Sequence, residues 1–181
     1  MYCECARKAV IIAPTVPLIK QHFDIAKQVS GMRVRLVIGC AEVDAWDQQH
    51  WHEVLTRCDI LLITPRLFLD ALDSRGVGLG AFCVMVVAEC HHCKGNHPLV
   101  KLFSEHYSRA LQLRILGLSE SGCLFKRTVK SVAEREQVLQ RLSRLMDSHT
   151  VLQLSCAVDA GSEALFDRLS QDPVACGGRL L

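Results

Sequence analysis

The sequence carries little net charge, no long hydrophobic run and no internal repeat. Lysine and arginine number 21 against 19 aspartate and glutamate, for a formal net charge of +2. So small an excess gives no electrostatic argument for nucleic acid. No apolar stretch approaches the roughly 20 residues that span a bilayer as a helix, so no membrane contact is expected. Residues 1–19 are not expected to act as a secretory leader. The charges of Arg7 and Lys8 precede only a short apolar run, broken by Pro14 and Pro17. After Cys90-x-x-Cys93 no second C-x-x-C or H-x-x-x-H follows, so only half of a usual zinc signature is present.

What is there is a chain of 181 residues, half of them hydrophobic and 22% charged. That composition buries a core and suits a single globular domain. Ten cysteines suggest a disulfide framework, but the chain is long for a stapled miniprotein. Cys40, Cys58, Cys83 and Cys123 lie in or beside apolar runs, where free cysteine acts as a small hydrophobe. A reducing compartment, cytoplasm or nucleus, is expected rather than secretion.

Short β-branched runs alternate with helical patterns. Residues 9–13, 34–38, 59–64, 82–87 and 113–118 read as strands, and 82–87 reads as buried on both faces. Helices are expected from Pro17 to about Val29, from Asp44 through Leu55, over Pro65–Leu72, from His97 to about Arg109, and after the capping box Ser131-Val-Ala-Glu134. Trp46 and Trp51 would share the second of these. Past Asp147 the signal weakens: 151–158 reads as a strand, 162–169 as a helix and the Gly177-Gly178 tail as loose. Strands alternating with helices mean a parallel sheet covered on two sides.

Polar residues collect where the strands end: Pro14-Thr15, Thr64-Pro65, Ala88-Glu89-Cys90-His91 and Ser119-Glu120-Ser121. In a parallel sheet these ends share one edge, where chemistry gathers. Hydroxyls and helix N-termini there offer hydrogen bonds to phosphates. The plainer reading is that the threonines and serines cap helices. Cys90 and Cys93 with His91, His92 and His97 leave a zinc site or a cysteine nucleophile open. Lys126, Arg127 and Lys130 are placed to meet a phosphate backbone, whereas Arg135, Arg141 and Arg144 read as a solvated helix face.

In their order, these pieces resemble the first RecA-like, ATP-binding domain of superfamily 2 RNA helicases, and within them the DECH-box helicase region of Dicer-like proteins. IIAPTVPLIKQ is similar to the motif after the Walker strand, ITPRLFLDAL to the next motif, VVAECHHCKGNHP to the D-E-C-H box with its Dicer-like extension, and ILGLSES to the L-T-A-S motif. VDAWDQQHW matches a further Dicer helicase segment, and the likeness runs from about Ala9 to about Leu152. The resemblance implies a three-layer α/β fold of the P-loop NTPase type. Residues 1–150 would be a partial ATP-binding domain and 151–181 a weakly structured extension. ATP and Mg²⁺ would be the cofactors. Double-stranded RNA, and a second RecA-like domain or a partner protein, would be the partners. Glu89 would polarise the attacking water, and His91 would couple the nucleotide site to Ser119 and Ser121. Pro14, Thr15, Thr64 and Pro65 would contact RNA.

Three departures shape the expectation. The box opens with Ala88 where the family holds Mg²⁺ with aspartate, so no metal ligand is assigned. Glu120 stands where the family has alanine. No G-x-G-K-T phosphate loop occurs in these residues, so the Walker A strand, loop and helix are expected to be absent from the fold. A site lacking both the phosphate-binding lysine and the metal carboxylate is expected to have lost ATP hydrolysis. The alternative is a non-catalytic module that binds RNA or protein. Without the Walker unit, the remaining sheet is expected to expose strand edge and apolar surface.

Overall fold

The computed structural model describes residues 8–74, 76–119 and 132–147. The short β-branched runs form five strands: β1 (Lys8–Ile12), β2 (Val34–Val37), β3 (Ile60–Ile63), β4 (Phe82–Val87) and β5 (Arg114–Gly117). Between them lie α1 (Val16–Val29), α2 (Ala41–Asp44), α3 (Gln48–Thr56), α4 (Pro65–Asp73) and α5 (Pro98–Glu105), with α6 (Val132–Leu145) after β5. The strands form one parallel sheet in the order β2-β3-β1-β4-β5.

Two helical expectations needed correction. Trp46 is not on the helix of Trp51. The chain closes α2 at Asp44 and restarts at Asp47, whose carboxylate accepts from the His50 N–H at 2.9 Å and so caps α3. The two indoles instead meet edge to face, 5.1 Å between centroids. The helix expected from His97 to Arg109 stops at Glu105. It is capped at His97 by Leu99 N–H donating to Nδ1, and a short 3₁₀ turn at Arg109–Leu111 follows. Ser131 and the elements expected beyond Asp147 lie outside the described residues.

Register decides which side chains share a face. Val10, Ile12, Leu61, Ile63, Met85 and Val87 point to one side, and every one is fully buried. Trp51 and Leu55 of α3, Phe68 of α4, Leu102 of α5 and Leu142 of α6 join them in one core. On the other side, Ile19 of α1 packs against Ala13, Leu62 and Ala88. That cover does not reach across the sheet. Val84 and Val86 are only half-buried, and Leu116 and Leu118 are 52% and 46% exposed. The expectation that β4 is buried on both faces is therefore corrected. Its second face is partly open, and β5 is a sheet edge among the described residues.

Of the cysteines expected to act as small hydrophobes, Cys58 is buried, Cys83 half-buried and Cys40 exposed, all unbridged, and Cys123 lies outside the described residues; Cys90 and Cys93 are buried and unbridged as well. No described helix is long and apolar enough to cross a membrane.

Candidate active-site edge at the strand ends

Because every strand pair is parallel, the ends of β1, β3, β4 and β5 share one edge of the sheet. The end of β4 is tied on both sides. Ala88 N–H donates to the Ile12 carbonyl at 2.8 Å, and Leu118 N–H donates to the Val87 carbonyl at 2.8 Å. The next residue, Glu89, turns left-handed with φ 53° and ψ 45°, a conformation that costs a non-glycine residue roughly 1 kcal/mol or more. Cys90 N–H then donates back to the Leu118 carbonyl at 2.8 Å. The surrounding bonds thus hold Glu89 at the turn.

Glu89 and His91 come together there with Ser119. The His91 Nδ1 lies 2.8 Å from the Ser119 Oγ and 3.1 Å from a Glu89 carboxylate oxygen. In the tautomer that carries its proton on Nδ1, both oxygens lie within reach to accept it. The His91 side chain is 11% exposed and that of Glu89 is 29% exposed. The result is a largely shielded imidazole bridging the ends of β4 and β5, with a solvent-reachable carboxylate beside it. Ser121 lies outside the described residues.

Ala88 turns the other way. It is 6% exposed and packs with Ala13, Ile19 and Leu62. Mg²⁺ demands oxygen ligands in near-octahedral array, and a buried methyl offers none. Ala88 therefore supplies no ligand where the family's aspartate would hold the metal.

The two threonine ends differ. Thr15 caps α1, accepting from Leu18 N–H at a long 3.4 Å. Thr64 occupies the cap position of α4, yet its hydroxyl makes no capping bond. The plain capping account therefore holds for Thr15 and fails for Thr64. Pro65 is buried and Pro14 half-buried, so they shape the backbone there more than they offer a surface.

The cysteines are not poised for chemistry. Burial pushes the Cys90 thiol up to about 11 and the Cys93 thiol up to about 12, so both are neutral near pH 7. Nor do they gather histidines as a metal set. Among the described residues the group whose ligand atoms converge is Asp73, Glu105 and His106, at the surface of α4 and α5. There Lys101 Nζ already lies 2.9 Å from Asp73 and 3.6 Å from Glu105, supplying the positive charge. His97 is occupied as a helix cap, and burial lowers its pKa.

Two supporting residues went unseen in the sequence. Arg141, expected on a solvated face, donates to the Cys93 carbonyl at 3.0 Å and holds the far end of the box turn. Gly117 packs closely: a Cβ there would lie 2.6 Å from Met146 Cε, the end of a flexible side chain, and 3.1 Å from Cys90 Sγ. The ILGL run gave no sign of Gly117's close contact. Arg141 lies on α6, whose packing against the turn is not a local property of the sequence.

A family model described as DEAD/DEAH box helicase matches residues 3–121. Endoribonuclease Dicer homolog 3 of Arabidopsis thaliana is 36% identical over 143 residues, covering 78% of this chain and 9% of its own length. Endoribonuclease Dicer homolog 2 of the same plant is 30% identical over 152 residues, covering 81% and 10%. The chain thus spans about a tenth of the length of these relatives. Among solved structures, the Pyrococcus furiosus Hef helicase domain superposes with a TM-score of 0.58 at 20% identity, over 76% of this chain and 28% of that one. That likeness bears out the RecA-like α/β fold.

Proposed function

The chain belongs to the DEAD/DEAH box helicase family, and we propose that these residues form a Dicer-like helicase segment that contacts double-stranded RNA without hydrolysing ATP. The observation that carries this reading is the split at one turn. Glu89, His91 and Ser119 keep a hydrogen-bonded network at the sheet edge, while Ala88 beside them is sealed into apolar packing. Phosphoryl transfer needs a metal to neutralise developing charge and donors to cradle the phosphates. The first need is not met by the buried methyl of Ala88.

The retained edge suits phosphate contact. Thr15 is exposed, the Thr64 hydroxyl is not spent on capping, and both stand before helix N-termini whose N–H groups attract anions. On this reading Glu89 polarises no water in this chain, and His91 serves to join the ends of β4 and β5. Residues 1–150 are the partial ATP-binding domain and 151–181 an extension. The partners are double-stranded RNA and a second RecA-like domain, and the compartment is cytoplasm or nucleus.

The partly open face supports the same reading. Parallel sheets are covered on both sides, so exposed Leu116 and Leu118 beside β5, a sheet border among the described residues, suit a further strand and helix.

The test is a pair of assays on the full chain. Fluorescence anisotropy with a blunt RNA duplex is expected to show binding that weakens steeply with salt. The binding should be indifferent to ATP and reduced by Thr15→Ala with Thr64→Ala. Phosphate release with Mg²⁺ and RNA is expected at background. Release abolished by Glu89→Gln would overturn the loss of hydrolysis. Binding that is absent, or unmoved by salt, would overturn the RNA contact.

A further inference from the structure

Three strands away from the β4 turn, the opposite border of the sheet carries a pocket of about 360 Å³. Val34 and Arg35 of β2 line it together with Trp46, Val54 and Arg57. Consecutive strand residues face opposite sides of a sheet. A pocket lined by both Val34 and Arg35 therefore opens on the edge of the sheet itself.

That edge has unspent main-chain groups. Ile60 N–H donates to the Arg33 carbonyl at 3.2 Å, with Val34 directly opposite Ile60. Bonding alternates along a parallel ladder, so Arg33, Arg35 and Val37 turn toward β3. The N–H and C=O groups of Val34 and Leu36 then point outward, and β2 has no neighbour on that side among the described residues.

The charges around the pocket say what fits. Arg33 is engaged by Asp59 at 2.7 Å. Arg35 and Arg57 have no carboxylate within ion-pair distance among the described residues, although Glu42 and Glu53 line the same pocket. His50, also in the lining, is held by Asp47, whose carboxylate lies 2.7 Å from its Nδ1 and favours its proton. A nucleic-acid backbone would bring phosphates against Glu42 and Glu53. An extended peptide brings its own N–H and C=O groups to the edge and can place a single acidic side chain at the arginines.

We propose that the β2 edge binds an extended segment of a protein partner carrying one acidic residue, which pairs with Val34 and Leu36 as an added strand. It sets one aspartate or glutamate at Arg35 and Arg57, and an apolar side chain two positions away fills the space against Trp46 and Val54. This is strand addition, in which main-chain bonds supply affinity and a pocket for alternate side chains supplies selectivity. The inference is independent of the RNA edge.

The experiment uses the full chain and a fluorescein-labelled designed decapeptide of alternating valine and threonine with one central aspartate. Two control peptides carry lysine in place of that aspartate, or N-methyl groups on alternate amides. Anisotropy is expected to show binding of the aspartate peptide. The lysine peptide should bind at least tenfold more weakly, and the N-methylated one should not bind. Arg35→Glu and Arg57→Glu each weaken the aspartate peptide at least tenfold while leaving the melting curve unchanged, because both side chains are exposed. Equal affinity for the aspartate and lysine peptides would overturn the proposal, as would no binding of the aspartate peptide at concentrations up to about 1 mM. Loss of RNA-duplex binding in the arginine variants, with no peptide binding, would assign the edge to nucleic acid and also overturn it.

Discussion

Leucine occupies both faces of this sheet and meets opposite fates. Leu61 on the α3–α6 side has no exposed surface, while Leu116 on the side of α1 is 52% exposed. The residue type is the same, but Leu61 sits in the interior strand β3 and Leu116 in β5, a sheet border among the described residues. The layer above differs as well. Four helices bring Trp51, Phe68, Leu102 and Leu142 down onto one face, whereas α1 covers only part of the other. Stability in this chain is therefore concentrated on one side of the sheet. The apolar surface on the other side is available to further chain or to a partner.

Substitutions on the closed face should be the most damaging. Phe68→Ala, at a side chain with no exposed surface that meets Phe82 edge to face at 5.8 Å, is expected to cost about 3–5 kcal/mol. A urea melt should show it as a lower midpoint with an unchanged slope. A cost below about 1 kcal/mol would mean the closed face is packed no better than the open one.

Within β4 itself the contrast can be drawn between neighbours. Met85→Ala removes a fully buried side chain and should cost about 2–5 kcal/mol, while Val84→Ala on the half-open face should cost about 1 kcal/mol or less. Equal costs would erase the distinction between the faces.

Gly117→Ala tests the contact of β5 with α6. The new Cβ meets the end of Met146, a flexible side chain, and the less yielding Cys90 Sγ. A cost of about 1–2 kcal/mol is expected, with Met146→Ala restoring part of it in the double variant.

Acid should act through Asp59, which lies just before β3. The Arg33 side chain and N–H donate to its carboxylate and hold it at a pKa of about 2. A carboxyl depressed in the folded state stabilises above its unfolded value of about 3.9, and that contribution is lost as pH falls through the folded value. The melting temperature should therefore drop between about pH 4 and pH 2. Asp59→Asn should be less stable at neutral pH and show a shallower fall across that window. An identical fall in the variant would place the acid response elsewhere.

The smallest effect is expected at the open face. Leu116→Ser and Leu118→Ser should change stability by no more than about 0.5 kcal/mol, while raising the concentration at which the chain stays dispersed, because exposed apolar patches drive association. A large loss of stability would show that this face is covered after all.

Much of the strand-end edge could be read directly from the chain. Short apolar runs ending at Thr15, Thr64, Glu89 and Ser119 placed these residues at strand ends, and parallel pairing brought the ends to one side. Period and punctuation are local, so they survive without knowledge of packing. Helix limits between the strands were less legible. Asp44, expected to open that helix, instead ends α2, and Asp47 caps α3 by accepting from the His50 N–H.

Local pattern established five strands, their parallel arrangement and the placing of Glu89, His91 and Ser119 at one sheet edge, because each rests on residues adjacent in sequence or on a rule of sheet topology. It could not establish that Arg141 would reach the Cys93 carbonyl, that Thr64 would leave its hydroxyl unspent, or that Ala88 would be sealed into apolar packing. Nor could it show which face of β4 lies open, or that Arg35 and Arg57 would share a pocket at the far edge. Those depend on how segments distant in sequence settle against one another. Burial and charge pairing are properties of the neighbours a residue finds in space, and α6, α3 and α1 each bring neighbours that no local pattern announces.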